Sequence, residues 1–336
     1  MTGDDLFLSS RGPRLALGCM HFGGTWERGS EISDEARRRA REALEAALEI
    51  GIDFFDHANV YCWGRSERLF GELAQEMGLK REDYVLQSKV GIRYKGDPTP
   101  TAPKRYEFSY AHIMEQVEGS LERLQTDYLD CLLLHRPDIL MEVEEIAQAF
   151  NELQAAGKVR HFGVSNHTPW QLMRLEAGLE QPLEANQVEL NLLKSSLFDA
   201  SIVAGEDREP MPATVASGTL DYHQLKGIRT QAWAPLAYGY LSGRPIGQEF
   251  KFEDTAAAKQ RIADTSVLVS ELAEKYGVSR EGIVIGWVLR HPAKILPIIG
   301  TRDPGRLKAC AEATQVTLER EDWYRLYNAG RGQELP

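Results

Sequence analysis

Eight short apolar segments, most leading into a stretch of helical character, run the length of the chain. They are Leu15–Met20, Ile52–Asp56, Tyr84–Lys89, Leu129–His135, His161–Ser165, Asn186–Asn191, Arg229–Ala234 and Ile295–Gly300. Each is close to continuously apolar, as strands are when helices cover both faces of a parallel sheet. Between them lie helix signals: Ser33 or Asp34 as N-cap with Gly51 past the end, a helix near Ser66–Met77, Ser109–Leu124, Val143–Ala156 closed by Gly157, and Pro169 opening another. Repeated strand–helix units predict an α/β fold, and eight of them favour a closed (β/α)8 TIM barrel over an open doubly wound sheet. No internal repeat or low-complexity linker interrupts the 336 residues, so a single domain over 1–336 is expected.

Composition narrows the work such a barrel can do. A net charge of −11 argues against nucleic acid or an anionic membrane as partner. No apolar run approaches the roughly 18 residues that a membrane span needs. The first residues, MTGDDLFLSSRGPRL, are acidic and do not read as a secretory signal. Cys19, Cys62, Cys131 and Cys310 lie far apart without a CxxC pair, the pattern of scattered core thiols in a cytoplasmic protein.

Two segments are long for barrel loops. Residues 93–108, with Pro98, Pro100 and Pro103, follow the Lys89 strand, and residues 194–217 follow the Gln187 strand. Both leave from strand C-termini, so both are expected to overhang the barrel mouth as walls of a substrate pocket.

The strand ends carry the chemistry. Asp56, Lys89 and His135 each end an apolar strand, and Tyr61 follows Asp56 by five residues, with Gly64 close behind. Alone, an Asp–Lys pair reads as a structural ion pair, a Tyr as packing and a His as a satisfied polar group. Together, in strand order and at one end of the barrel, they read as a proton-transfer set. An ammonium beside a tyrosine stabilises phenolate and lowers its pKa. Asp56 can keep Lys89 charged, and His135 can donate to a carbonyl oxygen. A Schiff-base lyase using Lys89 is a rival, which Asp56 opposes by keeping the amine protonated. The histidines lack metal-ligand spacing, so no metal is expected. Neither GxGxxG after the first strand nor GxxxxGK[ST] is present.

With these residues in view, the chain resembles an aldo-keto reductase from about Arg14 to the C-terminus, in particular a bacterial branch of oxidoreductases with FDHA-x-x-Y and LLHRPD segments. The resemblance implies reversible NADPH-dependent reduction of an aldehyde or ketone, with Asp56, Tyr61, Lys89 and His135 as catalytic tetrad and Tyr61 as general acid. It implies cofactor contacts from Ser165 and Asn166 in GVSN and from Gln187, all toward the nicotinamide amide. Trp233 is implied as the platform for the nicotinamide ring, with Ala234, Leu236 and Leu241 along the pyrophosphate. Met20, Gly300, Arg302, Arg306 and Cys310 complete the implied cofactor site, the two arginines facing the 2′-phosphate at a helix N-terminus. Ala234 replaces a common Ser. Ala309 and Cys310 stand where acidic and amide side chains often meet adenine, so NADH is expected as a weaker alternative. Phe22, Trp26, Trp63 and Arg136 are implied pocket residues, with Tyr106 and Phe108 nearby; Arg136 stands where many relatives have an aromatic residue. His57 is implied to support the site from behind. A second implied function is that of an NADPH-binding, redox-sensing regulatory subunit with slow turnover.

Overall fold

The structure is a computed structural model that describes residue 7, residues 12–199 and 218–243, residue 252 and residues 255–335. Eight strands close into a parallel barrel: β1 (Ala16–Gly18), β2 (Phe54–Asp56), β3 (Val85–Val90), β6 (Leu129–Leu134), β7 (Val159–Ser165), β8 (Leu183–Glu189), β9 (Arg229–Trp233) and β10 (Leu296–Ile299). The first strand closes the ring by pairing with both β2 and β10. The expected strands are all present. The sixth begins at Leu183 instead of Asn186 and ends at Glu189, because its pairing with β7 starts at Leu183.

Helices between the strands cover the barrel. They include α1 (Asp34–Glu49), α2 (Arg65–Glu76), α3 (Tyr110–Leu124), α4 (Val143–Ala155) and α5 (Pro169–Glu176). Ser33 is the N-cap of α1, its side chain accepting from the Ala36 N–H, and Thr168 with Gln171 forms a capping box on α5. No helix among the described residues is long and apolar enough to cross a membrane. All four cysteines are buried thiols.

Period-two alternation along the strands fills the barrel in layers. One apolar cluster joins Ala16, Phe54, Cys131, Leu133, Ala185, Leu296 and Ile298, with Phe7 packed against Phe54. Two residues further along the same strand faces stand Asp56, His135 and Gln187. The alternation that makes the core therefore aims the polar residues into the mouth.

The excursion after β3 is not plain loop. Ile92–Arg93 (β4) pairs antiparallel with Arg105–Tyr106 (β5). Arg93 clamps Glu107 at 2.7 Å and Asp97 at 3.2 Å, and Arg105 also holds Glu107. Gly91 precedes the hairpin with φ +106°, and an added Cβ there would meet the Phe108 ring at 2.2 Å. Only glycine lets Phe108 seal the base of the hairpin. The second excursion lies outside the described residues from 200 to 217.

Candidate active site

The tips of β2, β3 and β6 bring Asp56, Lys89 and His135 to one place. Tyr61 arrives by a turn of unusual conformation. Cys62 and Trp63 have φ of 49° and 61°, and Gly64 has φ of 82°. Left-handed backbone at non-glycine residues costs roughly 1–3 kcal/mol each and collects at functional sites. Here the surroundings hold it. The Cys62 thiol donates to the Met20 carbonyl at 3.3 Å, the Ser66 hydroxyl donates to the same carbonyl at 3.1 Å, and Tyr94 donates to the Val60 carbonyl at 2.8 Å. Arg65 donates to the carbonyls of Thr25 and Glu27 at 2.6 and 3.0 Å, which ties the loop after β1 to the same turn.

Lys89 is fully buried, and its ammonium spends its three N–H groups on three acceptors. These are Asp56 Oδ2 at 2.7 Å, the His57 carbonyl at 2.7 Å and the Tyr61 hydroxyl at 3.0 Å. Burial pushes its pKa down, but Asp56 and the Tyr61 hydroxyl outweigh burial and hold it above the ordinary lysine value. Burial also dominates at Tyr61 and raises its pKa, with Lys89 pulling the other way. The expected lowering of the Tyr61 pKa is therefore overturned: desolvation outweighs the ammonium. Tyr61 stays protonated at neutral pH, and because its oxygen accepts from Lys89, its own O–H remains to donate elsewhere.

The ring of His135 lies 5.9 Å from that of Tyr61 at 82°. Burial, then Lys89 and Arg136, push its pKa well below the usual histidine value, so it is a neutral imidazole. Its buried Nδ1 has no hydrogen-bond partner among the described residues. A bare acceptor is cheaper to bury there than an unpaired N–H, which places the proton on Nε2.

Beneath this group lies a polar layer that sequence reading missed. Gln87 and Gln187 both donate to Asp56 Oδ1, at 2.6 and 3.0 Å, and both donate to Gln231 Oε1 at 2.9 Å. Gln231 donates back to Gln87 Oε1 at 2.8 Å. The three amides come from β3, β8 and β9 and are at most 3% exposed. Their bonds fix every amide orientation and hold the Asp56 carboxyl group in place. The signal was a glutamine at an inward position of three apolar strands, which sequence alone does not distinguish from a polar interruption.

Of the residues implied for a nicotinamide cofactor, several meet. The Trp233 indole donates to Asn166 Oδ1 at 3.0 Å, Asn166 Nδ2 donates to the Ser165 hydroxyl at 2.7 Å, and Ser165 donates to the Gln187 carbonyl at 2.9 Å. Asn166, Ala234, Ala237 and Tyr238 have positive φ at the ends of β7 and β9. The Arg302 guanidinium donates to the His21 carbonyl at 2.7 Å, and Arg306 donates to the Ser242 hydroxyl at 2.8 Å. Gly300, at the end of β10, is exposed and open around its α-carbon. Met20 is 38% exposed. Leu236 is half-buried.

Some placements differ from expectation. Cys310 and Leu241 are wholly buried in the core, so neither side chain presents a surface to a ligand. The N-cap of the helix Pro304–Ala311 is Asp303, whose carboxylate accepts the Arg306 N–H at 2.8 Å. That helix end is already capped by the Asp303 side chain, so its N-terminus does not stand open as the expected anion site. Phe22 is also fully buried, edge-on to His57, and packs behind the pocket instead of lining it. Trp26 is 42% exposed and edge-on to Tyr61, and Trp63 stacks on Tyr94 at 4.0 Å.

His57 sits between Phe22 and Phe70, fully buried, with neither ring nitrogen hydrogen-bonded among the described residues. Burial and Lys89 push its pKa down to about 3. The unfolded chain, with an ordinary histidine pKa of about 6.5, takes up the proton first as pH falls. This contribution to stability is full above about pH 6.5 and is lost as pH falls toward the folded value. His57→Phe is expected to lose about 2 kcal/mol less stability between pH 7 and pH 5 than the parent protein. Urea unfolding at the two pH values measures this; identical losses would refute it.

Comparison with known proteins agrees with the geometry. Residues 14–330 match the model of the aldo/keto reductase family. The 6-dehydroglucose reductase of Agrobacterium fabrum is 33% identical over 93% of this chain and 94% of its own length. The chain belongs to the aldo/keto reductase family. An uncharacterized oxidoreductase of Bacillus subtilis is 35% identical over 87% of this chain and 88% of its own. Among solved structures, the glycerol dehydrogenase of Gluconobacter oxydans superposes with a TM-score of 0.76 at 24% identity, covering 98% of this chain and 95% of that one; at this identity it speaks to the fold. As a family member the chain is an NAD(P)H-dependent oxidoreductase acting on small carbonyl compounds.

Proposed function

We propose that this enzyme reduces an aldehyde or ketone with NADPH, with Tyr61 as the proton donor. One observation carries the reading: Lys89 gives all three of its N–H groups to Asp56, His57 and Tyr61, which leaves the Tyr61 proton uncommitted. A carbonyl oxygen at the mouth would accept from Tyr61 and from His135 Nε2. As negative charge grows on that oxygen, the Tyr61 proton moves to it, and the phenolate left behind is stabilised by the Lys89 ammonium. Asp56, fixed by Gln87 and Gln187, holds Lys89 charged through the cycle. Bound NADPH supplies the hydride.

The residues present fit the cofactor. Gln187 gives its amide N–H groups to Asp56 and Gln231, and among the described residues its Oε1 accepts no hydrogen bond, which leaves it for an amide N–H of the cofactor. Trp233 is half-exposed, and Ser165 and Asn166 lie in line with it. Burial, and then the repulsion of Arg39, lowers the Arg302 pKa; a phosphate beside these cations relieves that repulsion. Arg302→Ala is expected to weaken NADPH binding about 10- to 100-fold, the loss of one charge-assisted contact, and to leave NADH binding nearly unchanged. Quenching of Trp233 fluorescence by each nucleotide measures both. Equal losses for the two nucleotides would remove the 2′-phosphate assignment.

The regulatory-subunit reading has one observation in its favour. Ile139 and Leu140 are 87% and 81% exposed, and Trp170 at 71% and Met173 at 46% lie on α5, linked to that loop by the Arg174 bond to the Met141 carbonyl. Such a patch suits a protein contact. It does not bear on turnover, for which the bonded Asp56–Lys89–Tyr61 group is the stronger support.

A further inference from the structure

Arg136 directly follows His135 at the end of β6. Its side chain is half-buried, with the guanidinium carbon 5.9 Å from the centroid of the Trp233 ring. Among the described residues no carboxylate or carbonyl is recorded as its partner. Other guanidiniums around the mouth are occupied: Arg93 on Glu107, Arg65 on the Thr25 and Glu27 carbonyls, Arg302 on the His21 carbonyl. Glu189, which ends β8 opposite Trp233 in register, already accepts from Tyr238 and Lys194.

A guanidinium that is partly withdrawn from water and lacks a counter-ion loses hydration without compensation. Its planar fork matches the two oxygens of a carboxylate or phosphate. Consecutive residues place their Cα atoms about 3.8 Å apart, so an anion on Arg136 would lie on the same rim as a carbonyl oxygen held by His135. Trp26, exposed and edge-on to Tyr61, offers an apolar wall for the carbon skeleton between.

We propose that Arg136 is the anion-recognition point of the substrate pocket, so that the enzyme's substrates carry a carboxylate or phosphate a few bonds from the carbonyl. This rests on the reductase reading above and gives it a substrate class. The same residue explains part of the His135 electrostatics. Burial and then Lys89 do most to keep the imidazole neutral, with Arg136 adding to them, and an anion on Arg136 would offset only that added positive charge.

Matched aldehyde pairs test the proposal: para-carboxybenzaldehyde against its methyl ester, and glyceraldehyde phosphate against glyceraldehyde, each followed by NADPH consumption. In at least one pair the anionic member is expected to have a kcat/KM about 10- to 100-fold higher, as one charge-assisted bidentate contact provides, with most of the difference in KM. The pair that discriminates identifies carboxylate or phosphate as the source. Arg136→Met is expected to bring that ratio close to one, and Arg136→Lys to retain part of it. A ratio near one in both pairs for the parent enzyme, or a ratio unmoved by Arg136→Met, would overturn the proposal while the reductase reading stands. So would an Arg136→Met enzyme whose loss lies in NADPH quenching and not in aldehyde KM. No turnover of any aldehyde would overturn the reductase reading and this proposal with it.

Discussion

Tyr61→Phe is expected to lower kcat by about 10²- to 10⁴-fold, the range for removal of a general acid, while NADPH still quenches tryptophan fluorescence with near-parent affinity. The ring remains and so does its edge contact with His135 at 5.9 Å. What disappears is the hydroxyl that accepts from Lys89 at 3.0 Å and carries the transferable proton. Lys89 keeps its bonds to Asp56 and to the His57 carbonyl, so the variant should fold. Its backbone turn is held by bonds from Cys62, Ser66, Arg65 and Tyr94, none of which involves the phenol oxygen. Steady-state kinetics on any reduced aldehyde, together with the nucleotide titration, separates chemistry from binding. Parent-like kcat would eliminate Tyr61 as the proton donor.

Lys89→Met should have the largest effect on stability and also abolish most turnover. Removing one partner of a buried ion pair leaves the other charge without compensation and costs about 3–5 kcal/mol. Asp56 is 2% exposed, and although Gln87 and Gln187 still donate to one of its oxygens, the second would lose the Lys89 ammonium, its one donor among the described residues. The double variant Asp56→Asn/Lys89→Met removes the stranded charge, keeps an acceptor for the two amides, and should recover much of the lost stability with no recovery of activity. Urea unfolding of the parent and both variants gives the comparison. A single variant as stable as the parent would mean that the pair does not hold the mouth together.

Much of the fold was legible because burial on both faces leaves a strong mark on a strand. Segments such as LDCLLLH have no polar face, and the helices between them carry their caps in the sequence, as Ser33 and Thr168 show. The hairpin at 92–106 was not legible. Its two-residue strands carry almost no periodicity, and what holds them is the Arg93–Glu107–Arg105 group, a contact across 14 residues. The pocket and cofactor residues were legible by position but not by direction. Phe22, Leu241 and Cys310 fall where contacts were expected, yet packing turns their side chains into the core.

By itself the sequence determined the barrel and the gathering of Asp56, Tyr61, Lys89 and His135 at one end of it, since strand order and period-two alternation dictate which residues share the mouth. Tertiary structure alone decided which way the pKa values of Lys89, Tyr61 and His135 move. Closing β2 against β3 put Lys89 within 2.7 Å of Asp56 and 3.0 Å of Tyr61, with the three glutamines sealed below. That closure removes water from all of them at once, which is why burial, and not the neighbouring ammonium, sets the pKa of Tyr61. Desolvation depends on every atom packed around a group, and no local stretch of sequence records it.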